Sequence, residues 1–235
     1  MASRTADFVG RTIRFGLSAA ADVRADAIQD LGLDGTQLTL HVGAEAIDVR
    51  TPLLGRGNLS NLLAATAVAT FFGVPLAEIA AKAANLKPAS HRGAVLRLPK
   101  GVTVLDDSYN SSPTALKRAL EVVAKETRVR RKAAVLGEML ELGEHSLGLH
   151  ESCGAAAAAA GLDRLVAVGG EASQVLADAA VRAGMREDAV SVAQSSSGAA
   201  DLIIPWLADG DLVLVKGSRG IKTDTVVQRI TEEFS

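Results

Sequence analysis

The sequence predicts an α/β chain that divides near residue 92, with a small mixed portion first and a doubly wound α/β domain second. After residue 92, short runs of aliphatic and β-branched residues alternate with apolar patterns of helical spacing. These runs are continuously apolar, which is typical of a parallel sheet covered by helices on both faces. We therefore expect one domain over residues 1–92 and another over residues 93–235.

The first portion predicts a β-hairpin followed by two helices. The expected strands cover residues 11–16, 37–42 and 47–50. In the second of them Leu38, Leu40 and Val42 alternate with polar residues, which indicates a strand with one buried face. The helices are expected over residues 58–72 and from Pro75, a favourable first-turn residue, to just before Pro88.

The second portion predicts five strands separated by helices. The expected strands begin at residues 102, 133, 165, 190 and 212. Between them the apolar residues recur at helical spacing, as Leu116, Ala119, Leu120 and Val123 do. The expected helices cover residues 114–125, 146–160, 172–183 and 223–234.

The composition excludes several classes of protein. The chain has 235 residues, of which 48% are hydrophobic, so it can bury a core and is not disordered. Its single cysteine excludes a disulfide framework and a Cys-ligated zinc site. A net charge of −2 indicates neither a nucleic-acid nor a membrane partner. Residues 1–7 lack the apolar segment of a secretory signal, so we expect a cytoplasmic location.

Polar loops follow three of the predicted strands. Ligands of open α/β sheets bind at the carboxyl ends of strands, so loops 106–113, 137–146 and 216–220 are candidate binding loops. In the first, an aspartate could hold ribose hydroxyls, whereas Ser112 and Pro113 alone would be an ordinary helix cap. In the third, Lys216 and Arg219 could bind an anion, although a solvated basic turn is an equally open interpretation.

The sequence contains no recognisable metal site and no P-loop motif. His145 and His150 are five residues apart and do not share a helix face, so no metal site is predicted. Cys153 lies beside a run of alanines and is expected to be a small buried residue. The 235 residues contain no Gly-Lys dipeptide and therefore no P-loop lysine.

Five ordered stretches resemble the Mur ligases. They are residues 55–65 (Gly-Arg-Gly-Asn-Leu-Ser-Asn-Leu-Leu-Ala-Ala), 90–92 (Ser-His-Arg), 105–110 (Leu-Asp-Asp-Ser-Tyr-Asn), 136–143 (Leu-Gly-Glu-Met-Leu-Glu-Leu-Gly, with His150) and 214–219 (Leu-Val-Lys-Gly-Ser-Arg). Mur ligases have an N-terminal UDP-binding domain, a central ATPase domain and a Rossmann-like C-terminal domain. The resemblance implies that residues 1–92 are the trailing part of a central domain and residues 93–235 a C-terminal, glutamate ligase-type domain.

The activity implied by the resemblance is ATP-dependent amide-bond formation in peptidoglycan synthesis. The third and fourth stretches resemble the branch that adds D-Ala-D-Ala to UDP-MurNAc-tripeptide through an acyl phosphate, with ATP and Mg²⁺ as cofactors. Another Mur-type amino-acid ligase, folylpolyglutamate synthase, or a non-catalytic module that binds a nucleotide or amino acid remain alternatives. The UDP-binding domain, the P-loop and the Mg²⁺ ligands are expected to lie outside these residues, so this chain should not catalyse ligation alone.

The resemblance also implies roles for individual residues. Asn58 and Asn61 match asparagines that contact adenine, Arg92 matches an arginine that reaches the ATP phosphates, and Asp107 matches a ribose-binding aspartate. Tyr109 and Asn110 lie beside that aspartate and are assigned to the nucleotide site.

The substrate loop is implied at Lys216, Ser218 and Arg219, and we expect Arg219 to bind the D-Ala-D-Ala carboxylate. The resemblance also implies a monomer. Because the hairpin is expected to lack part of the sheet that covers it, its apolar face at Leu38, Leu40 and Val42 should be exposed or buried by self-association.

Overall fold

The computed structural model describes residues 9–235, so the N-terminal segment in which no secretory signal is predicted lies outside the described residues. The chain separates into two compact units, of which the first ends at Leu86 and the second comprises Lys87–Ser235. The boundary between family domains expected at residue 92 stays a prediction. Within the described residues, no helix is both long and apolar enough to cross a bilayer.

The first unit is a four-stranded sheet with two helices. The strands are β1 (Phe15–Gly16), β2 (Val23–Asp30), β3 (Thr36–Val42) and β4 (Glu45–Thr51), and they lie side by side in that order. The helices are α1 (Gly55–Phe71) and α2 (Leu76–Ala84). The predicted β-hairpin is confirmed as the antiparallel pair β3–β4, but it is half of a larger sheet.

Strand β2 was not expected from the sequence, and the strand expected at 11–16 is reduced to two residues. The backbone of β2 is irregular: Ala27 has a φ of 47°, and the register with β3 shifts between Asp26 and Gln29. Such a bulge interrupts the two-residue alternation by which strands are recognised in a sequence.

The expected exposure of the hairpin face is wrong. Leu38 and Leu40 are 1% and 0% exposed, because α1 and α2 cover them with a shared core that includes Leu63 and Ile79. The exposed large apolar side chains of the described part of this unit lie elsewhere: Val68, Phe71 and Phe72 near the end of α1, and Val9, Phe15, Leu17, Ile28 and Leu86. Self-association stays a prediction, but an exposed hairpin face no longer supports it.

The second unit is a six-stranded sheet between two layers of helices. Its strands are β5 (Ala94–Arg97), β6 (Thr103–Asp107), β7 (Lys132–Gly137), β8 (Arg164–Val168), β9 (Val190–Ala193) and β10 (Leu212–Lys216), in the order β5-β6-β10-β7-β8-β9. Its helices are α3 (Pro113–Lys125), α4 (Ser146–Ala159), α5 (Glu171–Arg182), α6 (Ser196–Ile203) and α7 (Asp224–Phe234). The α/β fold class and the five predicted strands are confirmed. The antiparallel edge strand β5 and the short helix α6 were not expected.

The core places the helices on opposite faces of this sheet. Alternate valines of the strands, such as Val135 and Val213, pack in one cluster with Ile203 of α6 and Ile230 of α7. Helices α3, α4 and α5 pack in sequence against one another on the other face. The fold is therefore doubly wound. Strand β10 lies between β6 and β7. The helices that follow β6 and β7 lie on one face of the sheet, and α7, which follows β10, lies on the other.

Candidate functional site

The carboxyl ends of β6, β10 and β7 are level with one another. Lys216, the last residue of β10, is in register with Asp107 of β6 and Leu136 of β7. The chain leaves β6 towards one face of the sheet and β10 towards the other, which opens a crevice between their ends. Crevices of this kind are where open α/β sheets bind ligands.

A buried lysine joins the loops at this crevice. The Nζ atom of Lys216 donates to Oδ2 of Asp107 at 2.6 Å and to the carbonyl oxygen of Asn110 at 2.8 Å. Lys216 is 3% exposed, whereas about a quarter of the Asp107 side chain is accessible. Burial raises the pKa of Asp107 above its ordinary value, and the attraction of Lys216 opposes that rise.

His91 and Asp106 form a second pair at the same edge. The sequence places Asp106 in a candidate binding loop but assigns neither residue a role. The Nδ1 atom of His91 lies 2.8 Å from Oδ2 of Asp106, and the other carboxylate oxygen accepts hydrogen bonds from the backbone N–H and hydroxyl of Ser108. Asp106 is 4% exposed. The antiparallel strand β5 brings His91 here, because Ala94 at its start pairs with Asp106 at the end of β6. The available signal was the Ser-His-Arg motif itself.

Two arginines lie against the ring of Tyr109. The guanidinium carbon of Arg92 is 4.1 Å from the ring centroid and that of Arg219 is 5.1 Å from it. Both distances are within the range of a cation–π interaction. Within residues 9–235, neither guanidinium forms an ion pair or a hydrogen bond, and both side chains are exposed. The site therefore presents two cations whose hydrogen-bond donors are available to a ligand.

Ser218 ties the β10 loop to the β7 loop. Its backbone N–H donates to the carbonyl oxygen of Glu138 at 3.1 Å, and its hydroxyl oxygen accepts from the backbone N–H of Leu140 at 2.9 Å. Ser218 is 4% exposed. Its hydroxyl proton is still available as a donor, because the oxygen acts as an acceptor in the contact with Leu140.

His150 of α4 holds the loop that follows β7. Its Nε2 atom accepts from the backbone N–H of Met139 at 2.9 Å, so Nδ1 carries the proton and donates to the carbonyl oxygen of Ser146 at 2.8 Å. The ring is completely buried. His150 is therefore neutral in this arrangement and acts as a structural bridge from α4 to the loop.

Two glycines allow the β7 and β10 ends to approach each other. A Cβ atom at Gly137 would lie 2.8 Å from Cγ2 of Thr223 and 3.1 Å from the Cα atom of Gly217. A Cβ atom at Gly217 would meet the same methyl group at 2.8 Å. Side chains at either position would push the two loops apart.

The two predicted adenine contacts lie in the first unit. Asn58 and Asn61 are three residues apart on α1 and so lie near one another on its surface. The side-chain amide of Asn58 donates to the carbonyl oxygen of Leu54 at 3.0 Å, and Asn61 is exposed. The structure brings the other predicted residues together at the crevice of the second unit: Arg92, Asp107, Tyr109, Asn110, Lys216, Ser218 and Arg219.

The described residues offer no group of ligands for a metal. Within residues 9–235, no three His, Cys, Asp or Glu side chains converge. Asp106 and Asp107, the carboxylates of the crevice, are already paired with His91 and Lys216. None of these residues is therefore assigned to Mg²⁺. The prediction that Cys153 is buried is confirmed, and burial raises the pKa of its thiol.

Comparison with known families decides where this fold belongs. Residues 91–219, more than half of the chain, match the family described as "Mur ligase, glutamate ligase domain". The chain belongs to the Mur ligase family. Residues 1–69 match a second family description, "Mur ligase middle domain". The resemblance found in the sequence motifs is thereby confirmed.

Several curated Mur ligases are similar to this chain. UDP-N-acetylmuramoyl-tripeptide–D-alanyl-D-alanine ligase of Escherichia coli is 33% identical over 198 residues, which cover 84% of this chain and 42% of the relative. The corresponding ligase of Mycobacterium tuberculosis is 32% identical over 241 residues, covering 95% and 47%. The ligase of Bacillus subtilis is 30% identical over 181 residues, covering 77% and 39%. The chain thus spans less than half the length of the curated relatives it matches.

Solved structures of Mur ligases share the fold. MurF from Acinetobacter baumannii superposes with a TM-score of 0.80 at 28% identity, over 94% of this chain and 47% of that one. MurF ligase from Thermotoga maritima, solved in complex with ADP, gives a TM-score of 0.77 at 24% identity, over 95% and 49%.

Proposed function

We propose that this chain provides nucleotide- and amine-substrate-binding parts of an ATP-dependent ligase that adds D-Ala-D-Ala to UDP-MurNAc-tripeptide. The observation that carries the proposal is the crevice at the ends of β6 and β10, where Arg92 and Arg219 leave their guanidinium donors free beside the anchored carboxylate of Asp107. The names of the similar curated ligases support the substrate, because they belong to enzymes of this reaction.

The nucleotide side of the site uses one carboxylate and one cation. Lys216 holds Oδ2 of Asp107 and about a quarter of the side chain is accessible, so the carboxylate can accept from ribose hydroxyls. Arg92 donates to phosphate oxygens, for which its planar fork is well matched. Tyr109 and Asn110 position this loop. The adenine contacts of Asn58 and Asn61, which lie in the first unit, stay a separate prediction.

The amine-substrate side of the site uses the β10 loop. Arg219 binds the carboxylate of D-Ala-D-Ala in a bidentate contact. Ser218 can donate its hydroxyl proton to the same ligand, and Lys216 retains one of its three N–H donors beyond the two that it uses within the protein. Holding the dipeptide in this way places its amine for attack on an activated carboxyl group.

ATP, with Mg²⁺, supplies the phosphoryl group that converts the peptide carboxylate into an acyl phosphate. The 235 residues contain no Gly-Lys dipeptide, so the lysine of a P-loop must come from elsewhere. We therefore expect no phosphate release from ATP when this chain alone is given UDP-MurNAc-tripeptide and D-Ala-D-Ala. Robust turnover would contradict that part of the proposal. The dependence on ATP agrees with the cytoplasmic location expected from the sequence.

A binding experiment with matched arginine variants tests the substrate. Arg219→Ala should weaken D-Ala-D-Ala binding about tenfold to a hundredfold, as expected for loss of a charge-assisted hydrogen-bonding group, and should leave the affinity for ADP unchanged. Arg186→Ala is the control, because Arg186 is exposed and paired with Asp188 on another loop. Calorimetric or NMR titration should include meso-diaminopimelate, lysine and glutamate. Preference for one of these amino acids over the dipeptide, or dipeptide binding that survives Arg219→Ala, would refute the assignment.

A further inference from the structure

We propose that the ring of Tyr109 is a shared platform that holds Arg92 and Arg219 in their binding positions, so that one residue sets the affinity of both anion-binding arginines. The ring is the common element, since both guanidinium groups lie within cation–π distance of it. The inference rests on the proposed function only for the identity of the ligand of Arg219, which is D-Ala-D-Ala. The stacking of both arginines on Tyr109 does not depend on it.

The backbone of Tyr109 is fixed on both sides. Its N–H donates to the carbonyl oxygen of His91 at 3.0 Å, and the carbonyl oxygen of its neighbour Asn110 accepts from Lys216 at 2.8 Å. His91 is in turn held by Asp106. The ring thus projects from a loop that is tied to β5 and β10, although the side chain itself is 37% exposed.

The backbones of the two arginines are fixed as well, but their side chains depend on the ring. Arg92 follows His91, and Arg219 follows Ser218, whose backbone and hydroxyl are both bonded to the β7 loop. Neither guanidinium forms an ion pair or a side-chain hydrogen bond within residues 9–235, and the carboxylate of Asp107 attracts Arg92 only at longer range. A free arginine side chain samples many rotamers, and a ligand that orders it has to overcome that entropy. Stacking on Tyr109 removes part of that cost before the ligand arrives.

The ring, rather than the hydroxyl, is responsible in this arrangement. An aromatic face attracts a guanidinium through its quadrupole, and phenylalanine offers the same face as tyrosine. Tyr109→Leu removes the face and keeps comparable apolar bulk. Tyr109→Phe keeps the face and removes only the hydroxyl. These two variants separate the platform from any contact that the phenol makes.

The test is an NMR titration of the 235-residue chain and its two Tyr109 variants, with inorganic phosphate and D-Ala-D-Ala as separate probes. In Tyr109→Leu the ring-current shifts of the Arg92 and Arg219 side-chain protons should disappear, and each dissociation constant should rise about two- to fivefold, as expected for one exposed cation–π contact. Tyr109→Phe should restore the shifts and most of the affinity. Trp206→Leu is the control, because it removes a ring stacked on Arg131 elsewhere in the unit and should affect neither probe.

The outcomes distinguish this inference from the proposed function. If phosphate binding weakens in Tyr109→Leu while the dipeptide never binds, the platform stands and the substrate assignment fails. If both probes bind equally well to the wild-type chain and Tyr109→Leu, the platform is refuted and the proposed function is untouched. Equal weakening in the leucine and phenylalanine variants would also refute it, because the hydroxyl would then be responsible.

Discussion

Lys216 and Asp107 are 109 residues apart in the sequence and end adjacent strands of one sheet, with Nζ 2.6 Å from Oδ2. The lysine is almost completely buried, and its ammonium group donates hydrogen bonds to this carboxylate and to the Asn110 carbonyl. The pair connects the loop assigned to the nucleotide with the strand that leads into the substrate loop.

Lys216→Met should raise the pKa of Asp107 further. Burial already raises this pKa, and the variant removes the attraction and the hydrogen bond that oppose the rise. When the pKa of a carboxyl group is higher in the folded state than in the unfolded state, its protonated form favours folding. Its contribution to the free energy of unfolding is then fully present below the pKa of the unfolded state and is lost as the pH rises through the pKa of the folded state. The variant should therefore be most destabilised near neutral pH, by somewhat less than the about 3–5 kcal/mol seen for fully buried pairs.

Carboxyl NMR titration of Asp107 and urea unfolding at several pH values would measure both effects. Lys82→Met is a suitable control, because Lys82 is exposed and pairs only with Glu78 along α2. An unchanged or lower Asp107 pKa in Lys216→Met would contradict the prediction.

His150→Leu should loosen the β7 loop. The substitution leaves the buried N–H of Met139 without an acceptor, which costs about 1–3 kcal/mol. Hydrogen exchange at the Met139 amide should accelerate by more than the loss of global stability explains. Cys153→Ala is the control, because Cys153 lies on the same helix and is equally buried. This variant loses stability by removing a side-chain atom, and its Met139 amide should exchange no faster than the loss of global stability explains. Exchange at Met139 that merely follows global stability in both variants would be evidence against the bridge.

Gly137→Ala should destabilise the second unit by about 1–3 kcal/mol, because the new methyl group would lie 2.8 Å from Cγ2 of Thr223 and beside the backbone of Gly217. Gly148→Ala is the matched control: no heavy atom lies within 4 Å of its new methyl group, and it lies in α4, where alanine favours the helix. Thermal unfolding should therefore show opposite changes. A destabilisation shared by both variants would show that close approach is not the reason for glycine at 137.

Much of the second unit could be predicted because its elements are encoded locally. Strands β6 to β10 are apolar runs, and most of the helices between them have clear periodicity. Helix α6 has eight residues and begins in a serine run, so it has little local signal. Strand β5 has four residues, and it is its pairing with β6 that makes it a strand.

The site was predictable as a set of loops but not as a set of contacts. Asp107, Lys216 and Arg219 follow from the rule that polar loops at strand ends meet at one edge. That Lys216 is buried against Asp107, or that Arg92 and Arg219 share Tyr109, depends on strand order, which local patterns do not encode. Asp106 lies in a predicted binding loop, but its pairing with His91 was not predicted for the same reason, since an antiparallel strand brings the two together.

The central place of β10 has a consequence for how the protein folds. This strand is the last strand of the sheet to be synthesised, yet among residues 9–235 it alone lies between β6 and β7 and pairs with both. Its pairing with β6 closes a loop of more than a hundred residues, and contacts of such long range are formed late and slowly. We therefore expect the nascent chain to hold two separate half-sheets with unpaired edges, and to bind a nucleotide only once residues 212–216 have inserted between them.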